Sequence, residues 1–492
     1  MRLYAGCMAW RVWLVWILFL VRGSFYCAML PLWEGWDEYA HFAWLQHWVD
    51  KGTLPGFHDP VSREIDESMR LAPLAYELRW IGPPYLTHQQ WWTLPQASRE
   101  DRRRRLRALP PDYAHQAATH VFDFYEAQQP PLYYWLLAPA LRWAAEWPLE
   151  SRVLLIRLLS MALASLAIPL AWLAARCVAG DELAVFCAAL LAVAPGFAID
   201  VSRVANDCLA IVLVGVLFWL LLRPDASAVR VGVVLGAALL SKAYLLALVP
   251  GIVILWFRRR RDLAVSLGLA VALAGWWYGR NLMMGYSLSG WLMHADARTL
   301  ASEFFRINWL SAAHVIAKSF LWFGAWSFLT LKSWMYTLME LGTLAGVALA
   351  VRQRNPRLWV PAVLTLPYFL AMGYGVVVYA ATQQVPNLPG WYLWPLAAPM
   401  AVILVTGLRR FSIVMIAALA AMDLYGVIAL LVPYYAGLAE RNRAGGAQFL
   451  TALARLQIPL WLAVVWAVAT LAIVVLATMT HYGVEKPRGH QY

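Results

Sequence analysis

Two adjacent carboxylates and a histidine follow the first long apolar segment of this chain. The segment covers residues 9–30, and Asp37, Glu38 and His41 come soon after it. An apolar run of this length spans a hydrocarbon core of about 30 Å, so we expect these side chains at a membrane surface. Partial desolvation there raises the pKa of a carboxyl group and suits it to take a proton from a hydroxyl or an amine. The alternative is that Asp37 only caps the helix that begins after it.

An amide pair precedes a Pro-Pro step further along the chain. Gln128 and Gln129 are followed by two prolines and by an apolar, aromatic run that contains Tyr133. Pro-Pro gives an extended entry and starts a helix well, so a structural turn explains this element too. Together with Glu126, the two amides also fit a substrate-binding site.

Charged residues inside apolar segments are costly and are usually paired or functional. Arg203 and Asp207 lie between two spans, at a spacing that also allows an internal ion pair. Lys242 lies within the run LGAALLSKAYLLALV, and Arg280 ends a later span. Arg suits bidentate recognition of phosphate, so these cations are candidates for an anionic substrate group. Snorkelling of Lys242 and Arg280 to the interface is the alternative.

Residues 386–395, PNLPGWYLWP, join two later spans. Their aromatic side chains, Tyr392 among them, suit sugar stacking or lipid contact. An aromatic belt beside a tight turn is the alternative. The sequence has no P-loop, HExxH, GxSxG or Cys/His metal pattern.

The composition is that of a helical membrane protein. Of the 492 residues 62% are hydrophobic and only 14% are charged, whereas soluble domains are about half apolar and a quarter charged. The net charge of +12 comes from Arg and Lys clusters between spans, which is the positive-inside pattern. The charge is therefore a topology signal, and nucleic acid is not an expected partner.

About twelve membrane-spanning helices are predicted, with interfacial helices in a large first outer loop at residues 31–150. Twelve spans place both termini and the basic clusters in the cytoplasm. The loop and the turns at 200–207, 280–332 and 380–391 then face outside. We expect residues 1–285 to form a catalytic transmembrane module and residues 286–492 to add an outer loop and C-terminal transmembrane helices.

The order of these motifs resembles that of the GT-C membrane glycosyltransferases, which implies a GT-C-type all-α helical bundle. The matching elements are the DE pair at 37–38, the xPPLYYW helix at 129–135, R-x-x-x-D at 203–207, L-S-K at 240–242 and R-N at 280–281. Protein O-mannosyltransferases and bacterial lipid A aminoarabinose transferases share this order. Further bacterial members carry DExxH and G-x-Y-x-x-P, here at 37–41 and 390–395. The match covers residues 10–285 well and the C-terminal third loosely.

The resemblance implies an inverting transfer of a sugar from a polyprenyl-phosphate-linked donor to an envelope lipid, glycan or protein acceptor. The enzyme would be a multi-pass protein of the inner or plasma membrane, surrounded by membrane lipid, with its active site outside the cytoplasm. Asp37 would be the base, with Glu38 beside it. The substrate-binding candidates are His41, Gln128, Gln129, Tyr133, Arg203, Asp207, Lys242, Arg280 and Tyr392.

Some relatives carry a Glu or His beside the Pro-Pro step, and in certain ones it helps to hold a metal. Gln128 and Gln129 occupy that place here, so no cofactor is assigned. A divalent metal stays an open question, with Glu126 or His120 as substitute ligands. Two other functions also remain open, a transporter or flippase of lipid-linked sugars and a non-catalytic scaffold with the same fold.

Overall fold

The structure, a computed structural model, describes residues 2–118, 124–290, 293 and 295–484. The first helix, α1 (Arg2–Met29), is apolar and long enough to cross a membrane. The next helices belong to the polar region that follows it: α2 (Glu38–Lys51), α3 (Arg63–Leu71), α4 (His88–Thr93), α5 (Gln96–Arg107) and α6 (Leu132–Trp143). Two short parallel strands lie among them, β1 (Pro73–Leu74) and β2 (Leu86–Thr87).

The rest of the described chain is helical. The middle part contains α7 (Leu149–Ser165), α8 (Ala167–Val178), α9 (Asp181–Val193), α10 (Pro195–Val201), α11 (Asp207–Leu221), α12 (Ala228–Leu239), α13 (Val249–Trp256) and α14 (Arg260–Met283). The last part contains α15 (Ala297–Arg306), α16 (Trp309–Leu321), α17 (Ser333–Arg352), α18 (Trp359–Gln383), α19 (Ala397–Leu408), α20 (Ser412–Tyr425), α21 (Val432–Tyr435), α22 (Phe449–Arg455) and α23 (Leu460–Val484). A 3-10 helix, Gly390–Leu396, precedes α19.

The prediction of an all-α, multi-pass membrane protein is confirmed. Within the described residues seven helical segments are long and apolar enough to span a membrane, or eight if the bent pair α9–α10 is one span. This number is lower than the twelve predicted. One segment, Gly390–Tyr435, includes two of the predicted spans, and three further apolar helices are shorter than a full span. Hydropathy windows count apolar residues, but they do not register where a helix breaks.

Close helix contacts in the bundle depend on small residues. A Cβ on Gly407 of α19 would lie 1.8 Å from the carbonyl oxygen of Gly346 on α17. Only glycine permits this approach, which is the usual way in which membrane helices pack closely. The buried core includes side chains from both sides of residue 285, and the division of the chain there stays a prediction.

The region between α1 and α7 is tied to the bundle by polar contacts. Ser62 caps α3 and donates to Gln46, and Gln46 donates to Glu64 at 2.7 Å. Glu64 also accepts a hydrogen bond from Arg152 of α7. The predicted polar region is therefore a folded layer of short helices that rests on the ends of the spans.

Candidate active site

Asp37 lies at the turn between α1 and α2 in a left-handed backbone conformation, with φ 57° and ψ 14°. Its carbonyl oxygen accepts the first helical bonds of α2, from Ala40 and His41 at 3.0 Å. Its side chain makes no capping bond. Asp37 is therefore the N-cap residue of α2 by its backbone, as the alternative proposed, but its carboxylate does not cap the helix and bonds elsewhere.

Both neighbours of Asp37 are anchored by buried arginines. Arg203 donates to the carbonyl oxygen of Trp36 at 2.9 Å. Arg157 of α7 grips Glu38 through two bonds, 2.7 Å from Nε to Oε1 and 2.5 Å from the second nitrogen to Oε2. Residue 36 is thus fixed by the turn between α10 and α11, and residue 38 by α7. Because a left-handed backbone is unfavourable for a residue with a Cβ, these anchors hold Asp37 in place.

The Glu38 carboxylate is fully enclosed and engaged. Besides Arg157, it accepts a hydrogen bond from the amide of Val204 at 3.1 Å. Glu38 is 0% exposed. The sequence predicted a second reactive carboxylate at this position, but these contacts give Glu38 no free oxygen for a substrate.

The Asp37 carboxylate accepts a hydrogen bond from the hydroxyl of Tyr125. Burial raises the pKa of Asp37 above its usual value, and the Tyr125 hydrogen bond and the nearby charges of Arg203 and Lys242 oppose that rise. No other described side chain bonds to this carboxylate. Asp37 is consequently a partly buried acceptor with capacity for a further proton.

A second carboxylate, Glu126, begins a continuous chain of hydrogen bonds. Gln129 donates to Glu126 at 2.5 Å and accepts from Asn206 at 2.9 Å. Asn206 in turn accepts from the ammonium of Lys242 at 2.5 Å. Burial and the Asp37 charge raise the pKa of Glu126 to about 8. Glu126 therefore holds its proton to a higher pH than an ordinary glutamate does.

The cations Lys242 and Arg203 share one carboxylate. Lys242 lies 3.0 Å from Asp207, and Arg203 lies 3.2 Å from Asp207 and 2.8 Å from Asp200. Tyr244 also donates to Asp207. The internal Arg203–Asp207 pair, an alternative that the sequence left open, is formed. Both cations thus have anionic partners within the protein.

Arg280 differs from those cations, since it forms no ion pair with any described carboxylate. Its guanidinium lies 4.8 Å from the Trp277 ring and 3.4 Å from the carbonyl oxygen of Pro55. The next residue, Asn281, and Gln128 both surround Gly290: a Cβ there would lie 3.3 Å from Asn281 Nδ2 and 2.7 Å from Gln128 Cβ. The side-chain oxygens of Gln128 and Asn281 are buried and have no donor among the described residues.

His41 and Tyr133 support the site from behind. His41 bonds to the Tyr134 hydroxyl at 2.7 Å, and Tyr134 stacks on Trp44 at a centroid distance of 4.0 Å. Burial lowers the pKa of His41 well below its usual value. The Tyr133 hydroxyl bonds to Ser160 at 2.6 Å. Both residues were predicted to bind substrate, but in the structure their polar atoms are bonded to other side chains.

The 386–395 segment approaches the site through Tyr392. The Tyr392 ring lies 5.5 Å from that of Tyr244, within electrostatic range of Asp37 and Glu126. Its neighbour Trp391 stacks on Trp36 at 4.4 Å. Trp391 is thus buried in packing within the protein, a role that neither interpretation of the segment assigned to it, while Tyr392 is the aromatic residue next to the carboxylates.

A metal site does not emerge from the described residues. No group of three or more His, Cys, Asp or Glu side chains among them could hold an ion. Asp37 and Glu126 accept from Tyr125 and Gln129 respectively. His120, the other substitute ligand that the sequence suggested, lies outside the described residues.

Three residues of the site were missed by the sequence argument. Tyr125 bonds to Asp37, and Arg157 anchors Glu38. Glu34 is fully buried and accepts from the Ser327 amide at 2.9 Å, while His88 lies 3.0 Å away. Arg157 could have been found, because an arginine within an apolar span requires a partner. Tyr125 and Glu34 carried no such signal.

No protein-family model matches the chain, and no curated protein sequence matches it significantly. Among solved structures, ArnT from Cupriavidus metallidurans in the apo state is similar, with a TM-score of 0.49 and 14% identity over 97% of this chain and 77% of that one. ArnT from the same organism bound to undecaprenyl phosphate has a TM-score of 0.47 and 15% identity, over 97% of this chain and 78% of that one. An Archaeoglobus fulgidus oligosaccharyltransferase tethered with an acceptor peptide has a TM-score of 0.32 and 12% identity, over 94% of this chain and 55% of that one. Such similarity concerns the fold alone.

Proposed function

We propose that this protein is an inverting glycosyltransferase that moves a sugar from a polyprenyl-phosphate-linked donor to an acceptor outside the cytoplasm. The observation that carries the proposal is that two buried carboxyl groups lie within electrostatic range of each other: Asp37, which has a free acceptor position, and Glu126, whose pKa is raised to about 8. Environments that separate the protonation of two carboxyl groups are typical of acid–base sites.

Asp37 acts as the general base. An acceptor hydroxyl or amine attacks the anomeric carbon in line with the phosphate, the bond between that carbon and the phosphate oxygen breaks, and the acceptor proton passes to Asp37. The Tyr125 hydroxyl fixes one carboxylate oxygen, so the other is directed at the acceptor. The polyprenyl phosphate leaves with the bonding electrons.

The leaving phosphate is assigned to Arg280. Lys242 and Arg203 share Asp207, and Arg203 also pairs with Asp200, whereas Arg280 has no described anionic partner. A guanidinium can hold two phosphate oxygens at once. Stabilising the charge that develops on the leaving group supplies a large part of the rate in such sites. The protonated Glu126 can add a hydrogen bond to the same group.

The sugar is assigned to the space beside Gln128 and Asn281. Their buried side-chain oxygens have no described donor, and a buried polar group without a partner is costly. Sugar hydroxyls are donors that would satisfy them. In this arrangement Lys242, Arg203 and Asp207 are positioning residues, since their network connects Gln129 to the backbone before Asp37.

The test is donor titration with purified protein in nanodiscs, using a synthetic polyprenyl-phosphate sugar. We expect Arg280→Ala to weaken donor use by about 1.5–3 kcal/mol, the range for hydrogen bonds to charged groups. The matched control is Arg298→Ala, an exposed arginine on α15. Unchanged donor use in Arg280→Ala would remove Arg280 from the site.

A lipid-linked sugar transporter is the second candidate, because α9 and α10 bend by 61° at Ala194, and transporters use broken helices. A scrambling assay with a fluorescent lipid-linked sugar separates the two functions. Movement of the lipid without formation of a glycoside would favour the transporter. The absence of both activities would favour a non-catalytic scaffold.

A further inference from the structure

The arginine run at 102–105 has no role in the proposed reaction, yet it belongs to a helix that borders a distinct cleft. This cleft of about 340 Å³ lies between α5, the end of α1, the start of α7 and the segment between α22 and α23. None of the residues in the Asp37–Glu126 network lines it. The cleft does share Arg157, the anchor of Glu38, with the candidate active site, but the Asp37 and Glu126 carboxyl groups lie outside it.

The charge of the cleft is strongly positive. Four arginines line it, from three separate parts of the chain, against a single carboxylate, Glu150; they are Arg103, Arg107, Arg157 and Arg455. Arg157 is engaged by Glu38, and Arg107 lies 4.0 Å from Glu150. The remaining positive charge is not balanced within the cleft.

Arg103 is the least satisfied of these cations. It is partly buried, and it forms no hydrogen bond or ion pair with a described residue. Burial lowers the pKa of Arg103, the charges of Arg99 and Arg107 lower it further, and the charges of Glu150 and Glu100 oppose this only in part. Like charges gathered at a partly buried position are unfavourable unless an anion joins them. The geometry therefore calls for an anionic group at Arg103.

A second unsatisfied group lies at the cleft. His88 is 1% exposed, and its Nε2 is 3.0 Å from Glu34. Its other ring nitrogen, Nδ1, has no partner among the described residues. A histidine that is held by a carboxylate on one side can donate from the other side when it is protonated.

The apolar lining of the cleft indicates that the anion belongs to a membrane lipid. Apolar residues line it at one end of three membrane-spanning helices: Leu30 follows α1, Leu154 lies near the start of α7, and Ile458 precedes α23. Leu154 is 36% exposed. The arginines thus lie at the level where a bilayer begins, above an apolar surface that hydrocarbon chains can cover. This is the arrangement of basic pockets that bind lipid phosphates.

We propose that this cleft binds the phosphate head group of an anionic membrane lipid, with Arg103 and Arg107 as the main contacts and Arg455 at the rim. Its volume is at the lower end of the range of about 300–1,000 Å³ for ligand sites, which fits a head group better than a large soluble ligand. The proposal does not depend on the reaction assigned to Asp37.

The chain offers a matched control on the same helix. Arg104 and Arg105 are 75% and 59% exposed in their side chains and pair with Asp101, and neither lines the cleft. The Arg103→Gln/Arg107→Gln and Arg104→Gln/Arg105→Gln proteins therefore lose the same charge from the same helix. Only the first pair loses the cleft cations.

Native mass spectrometry of the full chain, titrated with phosphatidylglycerol or phosphatidylcholine, measures the binding. We expect wild type to retain phosphatidylglycerol selectively, and the Arg103→Gln/Arg107→Gln protein to bind it at least about tenfold more weakly, since two charged hydrogen bonds are lost. The Arg104→Gln/Arg105→Gln protein should bind as wild type does. Equal losses in both proteins, or no preference between the two lipids, would overturn the proposal.

Two further measurements keep the result decisive. Thermal unfolding without added lipid shows whether each variant folds. If the Arg103→Gln/Arg107→Gln protein does not fold, Arg103→Lys replaces it, because lysine keeps the charge but lacks the planar set of donors of arginine. We expect the Arg103→Lys protein to fold normally and to bind phosphatidylglycerol more weakly than wild type. Binding equal to that of wild type would overturn the assignment. A titration with inorganic phosphate distinguishes the source. Stabilisation by phosphate equal to that by the lipid would show that the cleft takes free phosphate and would overturn the lipid proposal.

Discussion

Asp37 owes its conformation to its neighbours rather than to its own side chain. Arg203 holds the carbonyl of Trp36, and Arg157 holds the carboxylate of Glu38. Strained backbone positions that are fixed in this way are often functional. Aspartate and asparagine tolerate the left-handed region better than most residues, so Asn is the replacement that changes the chemistry and least disturbs the backbone.

We expect Asp37→Asn to lower turnover by about 10²–10⁴-fold, the usual loss when a general base is removed. Donor binding and the unfolding temperature should change little. Asp50→Asn, which changes a carboxylate at the other end of α2 that pairs with His115, is the control and should keep wild-type turnover. The measurement is the initial rate of glycoside formation. Near-normal turnover of Asp37→Asn would contradict the assignment of the base.

Glu126 makes stability depend on pH in a defined direction. Its pKa is about 8 in the folded protein against 4.5 for an ordinary glutamate. Between these values the folded state binds more protons than the unfolded state, so this group's contribution to stability falls as pH rises. Glu126→Gln stays neutral and lacks this dependence. We therefore expect the unfolding temperature of the variant, relative to wild type, to increase from pH 5 to pH 8.5.

Thermal unfolding at both pH values measures this difference. Titrating groups that do not interact with Glu126 contribute equally to the two proteins, so their effects cancel in the comparison. Asp37 does interact with Glu126, so the difference measures the titration of the two carboxyl groups together. A difference that is the same at both pH values would mean that Glu126 is ionised throughout, and the separation of roles between Asp37 and Glu126 would fail.

At the scale of elements, the site depends on contacts between helices that are distant in sequence. The Glu38–Arg157 pair joins the start of α2 to α7, and Arg157 also donates to the carbonyl oxygens of Leu30 and Pro31 at 2.6 and 2.7 Å. The Arg157 guanidinium thus bonds to the backbone after α1 and to the first residue of α2, and so fixes the turn between the two helices. The position of Asp37 follows from that junction.

Glu38→Ala should destabilise the protein by about 3–5 kcal/mol, because it leaves the buried Arg157 without its anionic partner. The control is Asp225→Asn, which breaks an ion pair whose side chains are 37% and 64% exposed and should cost at most about 1 kcal/mol. Thermal or denaturant unfolding in detergent gives both values. Equal, small effects would show that Arg157 finds other partners.

Contact between α17 and α19 depends on glycine, so a methyl group is expected to separate them. Gly407→Ala should destabilise the protein by about 1–3 kcal/mol, the cost of overpacking, because the new Cβ meets the Gly346 carbonyl oxygen. Gly268→Ala on α14 is the control, since a Cβ there meets nothing within 4 Å. The control should be neutral or slightly stabilising. A neutral Gly407→Ala would mean that the helices separate without cost.

Across the whole molecule, the unpaired cations are not evenly distributed. Inside the bundle, Arg22 is matched by Asp423 at 2.9 Å, and Lys242 by Asp207. At the ends of the spans, Arg103 and Arg280 have no described carboxylate partner. Buried cations are thus paired within the protein, while Arg103 and Arg280 at the ends of spans can receive anions from outside it.

The basic clusters between spans predict which side of the membrane each loop faces. In a background without native cysteines, Gln96→Cys on α5 should react with an impermeant maleimide in intact cells. Arg352→Cys at the end of α17 should react only after lysis. Both positions are exposed, so burial does not obscure the result. The reverse pattern would place Asp37 on the cytoplasmic side and overturn the proposed topology.

Much of this protein is set by local sequence. Apolar length determined that it is a helical membrane protein, because uninterrupted apolar runs can satisfy their backbone groups in lipid only as helices. The order of short motifs marked residues 37, 126–129, 203–207, 242 and 280, since chemistry requires polar groups and the surrounding chain is almost wholly apolar. Both signals are local, and so they can be read without coordinates.

What each polar group does was decided only by tertiary structure. Glu38 and Asp37 are adjacent and chemically alike, yet Arg157, about 120 residues later, engages one and leaves the other available. In the same way Lys242 and Arg203 form ion pairs with Asp207, while Arg280 forms none with a described carboxylate. The number of spans also depended on helix breaks such as the α9–α10 bend. A carboxylate or a cation becomes reactive or structural according to which distant group lies within about 3 Å of it, and sequence spacing does not contain that distance.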